Sequence, residues 1–354
     1  MEVHNFGAGP SILPQEVIEK AASSVLSFSD TGLSILEISH RSQAFEAVLE
    51  RSTFLIRQLL NVPKDYDIIF VQGGASSHFS MVPYNFLPQG ARAVYLDTGV
   101  WSSKAIQEVS IYGEPIVVAS SKDSMYNNIP TGYIIPYDAS YFHITTNNTI
   151  YGTQIHELPE SPIPIIADMS SDIFSKVIDI SKYGMIYAGA QKNLGPAGIT
   201  IAIIKRDLLN KTGRQLSTMW NYQTHINNHS NYNTPPVFAI YVCMLTLEWL
   251  TSLGGIAEIE SRNIAKAKVL YDEIDRNSKF RGHAVVADRS LMNVTFVCNN
   301  PGEEEHFKQI CRDRGIVGIE GHRTTGGFRA SLYNALPIES VHVLVQAMKD
   351  FEHL

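Results

Sequence analysis

The loop that carries Lys192 is the segment of this sequence best suited to chemistry. Residues Gly189–Gly198 (GAQKNLGPAG) lie between two apolar runs, Met185–Ala188 and Ile199–Ile204, which predict two strands. A lysine ordinarily prefers solvent, so one held beside a buried strand end is a candidate Schiff-base nucleophile. Small neighbours would let a flat ring and its phosphate approach the backbone. The alternative is a solvated lysine on a glycine-rich hairpin.

Asp168 is the second candidate, because it directly follows the apolar run Ile165–Ala167. A carboxylate at the end of a buried strand carries a large desolvation cost unless it meets a cation or several donors. A protonated pyridine nitrogen is such a cation, and a charge-assisted hydrogen bond to it is worth roughly 1.5–3 kcal/mol while keeping the ring an electron sink. An aspartate that only caps a turn is the alternative. A turn-capping aspartate would not require a lysine after the next apolar strand. This sequence has Lys192 at that position, which favours the cofactor role.

Other predicted strand ends carry residues that could hold the same ligand, since open α/β sheets bind ligands at the carboxyl ends of their strands. Gln72–Ser77 opens a helix, and its amides and the Ser76 hydroxyl could cradle a phosphate. Trp101 could stack on a planar ring, and the polar run Thr145–Thr149 could satisfy a ring oxygen. The alternatives are a plain tight turn, a packing residue at a helix start, and ordinary turn residues.

Two basic patches suit an anionic substrate. His40 and Arg41 lie early in the chain, and His322 and Arg323 are followed six positions later by Arg329. The planar fork of arginine binds carboxylate or phosphate through two parallel hydrogen bonds, which lysine cannot do. The set therefore favours a substrate with two anionic ends, although each residue alone could be a solvated surface charge.

The elements that must position these residues predict an α/β fold. Strand-like and helix-like segments alternate from Asp67 to Ala167, which indicates a large domain with a mostly parallel sheet covered by helices. Near Gly254–Gly255 the pattern changes to a compact α+β unit. We therefore predict an N-terminal arm and large domain over residues 1–255, and a small C-terminal domain over residues 256–354.

Composition excludes several classes of function. The net charge of −7 over 354 residues argues against nucleic-acid and anionic-membrane partners, although local arginines can still bind a small anion. Cys243, Cys298 and Cys311 show neither metal-ligand spacing nor a disulfide framework, so we expect no metal and a reducing cytoplasm. No secretion leader is visible, and the most apolar stretch, Val237–Leu250, is too short to span a bilayer. We expect a soluble cytoplasmic protein.

Four motifs together resemble the phosphoserine aminotransferase family, within the class V aminotransferases that use pyridoxal 5'-phosphate (PLP). They are Gly189–Gly198, Ser39–Ser42, Asn233–Pro236 and Gly321–Ser331, and the similarity extends from Asn5 to the last helix. The lysine loop alone would indicate only class V. The resemblance implies an aspartate-aminotransferase-like PLP fold and a homodimer. It implies amino transfer from L-glutamate to 3-phosphohydroxypyruvate, which yields phosphoserine and 2-oxoglutarate in serine biosynthesis. In bacteria the family also serves pyridoxine biosynthesis, on a phosphorylated hydroxythreonine.

The resemblance also implies the residues that bind the cofactor. Lys192 matches the Schiff-base lysine, and Asp168 matches the partner of the pyridine nitrogen. Trp101 matches the residue stacked on the ring, and Thr149 the hydroxyl beside it. The positions around the cofactor phosphate are matched by Ala75, Ser76 and Gln191 and, from the other subunit, by Asn233 and Thr234.

For the substrate, the resemblance assigns the α-carboxylate to Arg329. The residues that it places around the distal phosphate or side-chain carboxylate are His40, Arg41, His322 and Arg323, and the neighbouring chain can supply the second pair. One departure is His78, where the family has glutamine. Because His78 follows the phosphate cradle, we expect altered hydrogen bonding behind the cradle and an unchanged cofactor.

Three alternatives stand beside this interpretation. A cysteine desulfurase would share the sheet and the lysine but needs a reactive cysteine on a mobile loop. A serine–glyoxylate type aminotransferase would not need two His-Arg patches. A non-catalytic metabolite-binding or interaction protein on the same fold would require neither Lys192 nor Asp168.

Overall fold

A computed structural model describes residues 2–354 of the chain. The helices are α1 (Gln15–Leu26), α2 (Gln43–Leu59), α3 (Ala75–Phe86), α4 (Val100–Val109), α5 (Tyr222–Asn227), α6 (Val237–Ser252), α7 (Ile256–Arg276), α8 (Glu304–Asp313) and α9 (Ile338–Glu352). The strands are β1 (His4–Asn5), β2 (Tyr66–Gln72), β3 (Arg92–Asp97), β4 (Glu114–Ser120), β5 (Phe142–Thr145), β6 (Asn147–Asn148), β7 (Thr153–Gln154), β8 (Ile165–Asp168), β9 (Met185–Gly189), β10 (Ile199–Lys205), β11 (Phe280–Gly282), β12 (Asn293–Cys298), β13 (Ile316–Val317) and β14 (Phe328–Ser331).

Seven strands form the central sheet, in the spatial order β2-β10-β9-β8-β5-β3-β4. β10 runs antiparallel to its neighbours β2 and β9, and every other adjacent pair is parallel. The inner strands β5, β8 and β9 are buried along their whole length, as expected for strands covered by helices on both faces. The predicted α/β fold with a mostly parallel sheet is confirmed.

The register of this sheet brings the candidate residues to one edge. Thr145 at the end of β5 pairs with Asp168 at the end of β8, and Asp168 pairs with Tyr187 of β9. β9 ends at Gly189, three residues before Lys192. The carboxyl ends of three parallel strands therefore place the polar run, the carboxylate and the lysine loop side by side.

A second, smaller sheet is built from β11, β12 and β14, all antiparallel. Its core is rich in aromatic side chains, among them Phe280, Phe296 and Phe328. The division near residue 255 stays a prediction. The N-terminal arm, which we grouped with the large domain, pairs through β1 with β13 and buries Phe6 in the core of this smaller unit.

Local predictions failed at two places. From its proline, the segment over residues 76–86 is predicted to be a helix interrupted at Pro83, but α3 is continuous there. The hydrogen bond that Pro83 cannot donate is lost, but Phe79, Val82 and Phe86 are buried by continuing the helix. Strand β11 was not predicted, because three residues are too few for a clear alternation of apolar and polar side chains.

The turn that carries Thr149 lies between the two units. Its flanking strands β6 and β7 pair with each other, and the turn then contacts β12: Thr295 Oγ1 donates a 2.8 Å hydrogen bond to the Tyr151 carbonyl. Gly152 has φ +72, and a Cβ there would lie 2.8 Å from the Asn293 carbonyl. Only glycine suits this backbone conformation and this close approach, so the smaller unit fixes the position of the turn.

No single helix within residues 2–354 is long and apolar enough to cross a membrane. Helices α6 and α7 meet the length and composition requirement only as a pair bent by 85°.

Candidate active site

A cavity of about 310 Å³ opens at the carboxyl edge of the central sheet, facing the smaller unit. The predicted site residues that line it are Ala75, Ser76, Trp101, Thr149, Asp168, Gln191, Lys192, His322 and Arg329. They come from α3, α4, β8, β14 and three loops, and the fold brings them around one volume. This shared cavity is the strongest structural indication of a functional site in the described residues.

The Lys192 amine faces this cavity. Its Nζ donates a 2.9 Å hydrogen bond to Thr149 Oγ1. Burial lowers the pKa of Lys192 to about 8; the carboxylate of Asp168 opposes this shift and the guanidinium of Arg329 adds to it. A sizeable fraction of the amine is therefore neutral near pH 8, as a nucleophile or proton acceptor requires.

Asp168 is buried at the end of β8, and its Oδ1 accepts two hydrogen bonds from Ser170. The backbone N–H lies at 2.9 Å and the hydroxyl at 2.6 Å. Burial raises the pKa of Asp168, while the two Ser170 bonds and the charge of Lys192 hold it down. Within residues 2–354 both bonds reach Oδ1, which leaves Oδ2 available for a cationic donor.

The start of α3 offers a site for an anion. Gly74 caps the helix without a side-chain hydrogen bond, and a Cβ at Gly74 would meet nothing within 4 Å. The first amides of a helix have no partner within the helix and lie at its positive end. Ala75 and Ser76, which line the cavity, therefore present N–H groups and a hydroxyl where a phosphate could bind.

Three buried polar atoms of the cavity residues have no hydrogen-bond partner among residues 2–354. They are Nε1 of Trp101, Oγ1 of Thr145 and Nε of Arg329. Buried polar atoms normally find a partner, so these atoms indicate that the cavity is built to receive a polar ligand. An aromatic ring that carries a phosphate, a cationic nitrogen and an aldehyde fits this set of donors and acceptors, and PLP has these groups.

Five predicted residues lie outside this cavity wall. Arg323 is exposed, and the other four are His40, Arg41, Asn233 and Thr234. The His40 carbonyl accepts a 2.7 Å hydrogen bond from Asn231 Nδ2, and the Thr234 carbonyl accepts one of 2.6 Å from Gln72 Nε2. His40, Arg41 and residues 231–234 thus form one surface cluster, which we call the 40/233 cluster.

His322 lines the cavity of its own chain, although the resemblance allowed the neighbouring chain to supply it. Its Nδ1 lies 2.9 Å from Thr324 Oγ1. Burial and the charges of Arg329 and Arg323 lower the pKa of His322. The chain leads from β13 through residues 318–327 back to β14, so His322 and Arg329 share one cavity.

The N-terminal arm also contributes to the site, which was not predicted from the sequence. Ala8 and Gly9 line the cavity, and the Ser11 amide donates a 2.9 Å hydrogen bond to the Gln191 carbonyl. No local sequence pattern predicts this role, because the contact between Ser11 and Gln191 joins residues about half the chain apart. Ser170 was not among the predicted site residues, although a serine two residues after a buried carboxylate is a signal that could have been used.

His78 lies behind the phosphate cradle and outside the cavity wall. It is fully buried, its Nδ1 lies 2.7 Å from the Tyr222 hydroxyl, and its ring stacks on that of Tyr187 at 5.1 Å. Burial lowers the pKa of His78 to about 3, so the ring is neutral near pH 7.

The described residues contain no group of three or more His, Cys, Asp or Glu side chains placed to hold a metal ion. All three cysteines are free and buried, and burial raises the pKa of each thiol. A buried thiol with a raised pKa is a poor nucleophile, which argues against the chemistry of a cysteine desulfurase.

Comparisons with known proteins agree with this geometry. Residues 3–344 match the family model described as aminotransferase class-V. The chain is 56% identical over 353 residues to a phosphoserine aminotransferase of Flavobacterium johnsoniae, covering 99% of each chain. The solved structure of phosphoserine aminotransferase from Bacillus circulans subsp. alkalophilus matches with a TM-score of 0.97 and 42% identity over 99% of each chain. That of the PLP-bound enzyme from Trichomonas vaginalis matches with a TM-score of 0.94 and 36% identity, over 98% of this chain and 100% of that one.

The depressed pKa of Lys192 predicts its reactivity in the protein without cofactor. Reductive methylation reacts with the neutral amine, so labelling of Lys192 should rise with pH and reach half of its maximum near pH 8, against 10.5 for an ordinary lysine. Asp168→Asn removes the charge that supports the ammonium form and should move the midpoint to lower pH. Peptide mapping by mass spectrometry measures the labelling of Lys192 against pH in the wild type and in Asp168→Asn. A midpoint near 10.5 would contradict the buried amine.

Proposed function

The chain belongs to the aminotransferase class-V family, and we propose that it is a PLP-dependent transaminase that moves the amino group of L-glutamate to 3-phosphohydroxypyruvate. The products are phosphoserine and 2-oxoglutarate, a step of serine biosynthesis. The observation that carries the proposal is the shared cavity, in which a partly neutral lysine amine, a buried carboxylate and an arginine face one another. The serine–glyoxylate alternative is not favoured, because close full-length relatives are phosphoserine aminotransferases.

PLP supplies an electron sink for the negative charge that develops at the substrate α-carbon. Asp168 would hold the ring nitrogen through its free oxygen, Thr149 would lie beside the ring, and Trp101 would cover one face. The phosphate would bind at the start of α3, where Ala75 and Ser76 present their amides, with Gln191 beside them. These assignments agree with the unpartnered atoms of the cavity wall.

Lys192 holds and moves the proton in this proposal. Its amine can form the covalent link to the cofactor and, once released, take the proton from the substrate α-carbon. The pKa of about 8 suits both roles, because the amine must pass between its neutral and charged forms near neutral pH. Thr149 orients the amine through the 2.9 Å hydrogen bond.

Arg329 and His322 are proposed to bind the two anionic ends of the substrate. The Arg329 guanidinium is partly buried and its Nε has no partner among residues 2–354, so a bidentate carboxylate would satisfy it. Arg329 would thus hold the α-carboxylate of the substrate, and His322 would face the distal anionic end of the substrate. Glutamate and 3-phosphohydroxypyruvate both carry a distal anion, which explains how one site can accept the donor and the acceptor in turn.

We also propose a homodimer, and the position of the 40/233 cluster supports it. Its basic and polar residues lie outside the cavity of their own chain, and the neighbouring Tyr232 is 41% exposed. We therefore expect the cluster to complete the cavity of a second copy, with Asn233 and Thr234 at its cofactor phosphate and His40 and Arg41 at the distal anion. A two-fold symmetric dimer would complete both sites in this way. Residence in the cytoplasm and the phosphohydroxythreonine step of pyridoxine biosynthesis remain predictions.

The substrate assignment is tested with L-glutamate as donor and a panel of acceptors: 3-phosphohydroxypyruvate, pyruvate, oxaloacetate and glyoxylate. Because a buried cationic site left without its anion costs several kcal/mol, kcat/KM should favour the phosphorylated acceptor at least about 100-fold over pyruvate and glyoxylate. Release of 2-oxoglutarate is measured by a coupled assay. A preference for glyoxylate would instead support the serine–glyoxylate alternative.

The shared site is tested by mixing two variants: Lys192→Ala, which should be inactive, and Arg41→Ala, which should have low activity because it lacks a contact with the distal anion. If Arg41 serves the partner's cavity, a mixed dimer keeps one intact site, so random re-association should restore about a quarter of wild-type activity. If Arg41 serves its own cavity, each site of the mixed dimer lacks one group and no activity returns. Activity is measured after the mixed chains are unfolded and refolded together, with each variant refolded alone as the control.

A further inference from the structure

Tyr333 is a buried group that the proposed chemistry does not use, although it lies where three parts of the site meet. Its side chain is 1% exposed. The hydroxyl donates a 2.9 Å hydrogen bond to the carbonyl of Ala8 and accepts one of 3.2 Å from Asn293 Nδ2. Ala8 belongs to the N-terminal arm and lines the cavity, whereas Asn293 begins β12 of the smaller sheet.

The same hydroxyl is connected to the floor of the cavity through Asn293. Asn293 Oδ1 accepts a 2.8 Å hydrogen bond from Asn147 Nδ2, and Asn147 lines the cavity. A continuous chain of hydrogen bonds therefore runs from Asn147 of β6, through Asn293 and Tyr333, to the arm. Buried networks of this kind hold their members in one arrangement when every member is satisfied.

Tyr333 also lies beside the substrate-binding arginine. Arg329 and Ser331 point to the same face of β14, because side chains alternate along a strand, and they pair with Thr295 and Asn293. Tyr333 follows two residues later. Burial raises the pKa of the Tyr333 phenol, whereas Arg329 and Thr149 lower it, which agrees with both lying near the hydroxyl.

Hydrogen bonds with α7 and with Asn193 hold the backbone around Tyr333. The buried amine of Lys266 on α7 donates hydrogen bonds to the carbonyls of Leu332, Tyr333 and Leu336, at 2.9, 2.8 and 3.1 Å. The next residue, Asn334, donates its amide to Asn193 Oδ1 at 3.0 Å, and Asn193 directly follows Lys192. The segment that carries Tyr333 is thus also held by α7 and by the loop that carries Lys192.

We propose that Tyr333 is a positioning residue, whose hydroxyl holds the Ala8–Gly9 wall of the cavity against the strand that carries Arg329. It touches neither cofactor nor substrate in this role. It sets the width of the space between the arm and the arginine, and hence how tightly a substrate held by Arg329 fits. The inference rests on the proposed function for its substrates, but the position of the arm can be measured without them.

The test compares Tyr333→Phe with Tyr66→Phe. Each variant removes one buried hydroxyl that donates to a carbonyl; Tyr66 is also 1% exposed, and its hydroxyl donates to the Tyr183 carbonyl at 2.6 Å, away from the cavity wall. Tyr333→Phe also removes an acceptor of Asn293 Nδ2, but that amide keeps its 3.0 Å hydrogen bond to Ser331 Oγ. The two variants should therefore lose a similar amount of thermal stability. Only Tyr333→Phe should raise KM for glutamate and for 3-phosphohydroxypyruvate, by on the order of fivefold to tenfold with kcat within about twofold.

Hydrogen–deuterium exchange supplies the readout that does not depend on turnover. Peptides covering residues 5–12 should exchange several-fold faster in Tyr333→Phe than in the wild type. In Tyr66→Phe their exchange rate should equal that of the wild type. A KM within twofold of the wild type, or arm exchange equal in the two variants, would overturn the positioning role. If the wild type transfers no amino group, the proposed function fails, and the exchange experiment still decides the role of Tyr333.

Discussion

The structure depends on a constraint of burial: one amine and one carboxylate must share a cavity at the edge of a sheet. Burial lowers the pKa of Lys192 and raises that of Asp168, so it favours the neutral form of each group. Their mutual attraction and the two hydrogen bonds from Ser170 act in the opposite direction. A ligand with a cationic ring nitrogen and an aldehyde would meet both groups, since the first suits a carboxylate and the second reacts with a neutral amine.

The rest of the fold holds these two groups in place. Parallel strands bring Asp168 and the lysine loop to a common edge, and the smaller unit fixes the turn of Thr149, which accepts the hydrogen bond of Lys192. The N-terminal arm crosses from β13 to the lysine loop and adds Ala8 and Gly9 to the wall. Sites assembled from several rigid elements in this way keep their geometry without a ligand, which lowers the cost of binding one.

Much of this site could be predicted from the sequence, because local patterns mark strand ends. Apolar runs followed by Asp168, by the Thr145–Thr149 run and by the lysine loop indicated one edge of a sheet, and the structure brings these residues together. The arm could not be predicted, since its contact with the lysine loop is set by tertiary packing and no local periodicity records it. The same limit applies to Arg41: its residue type suggested anion binding, but only the structure places it outside the cavity of its own chain.

The lysine to which PLP attaches can be identified directly. The protein loaded with PLP is reduced with borohydride, which fixes any Schiff base as a stable pyridoxyl group, and is then mapped by mass spectrometry. We expect a single modified lysine, Lys192, and no modification in Lys192→Ala. Modification of another lysine, or none in a protein whose spectrum shows bound PLP, would contradict it.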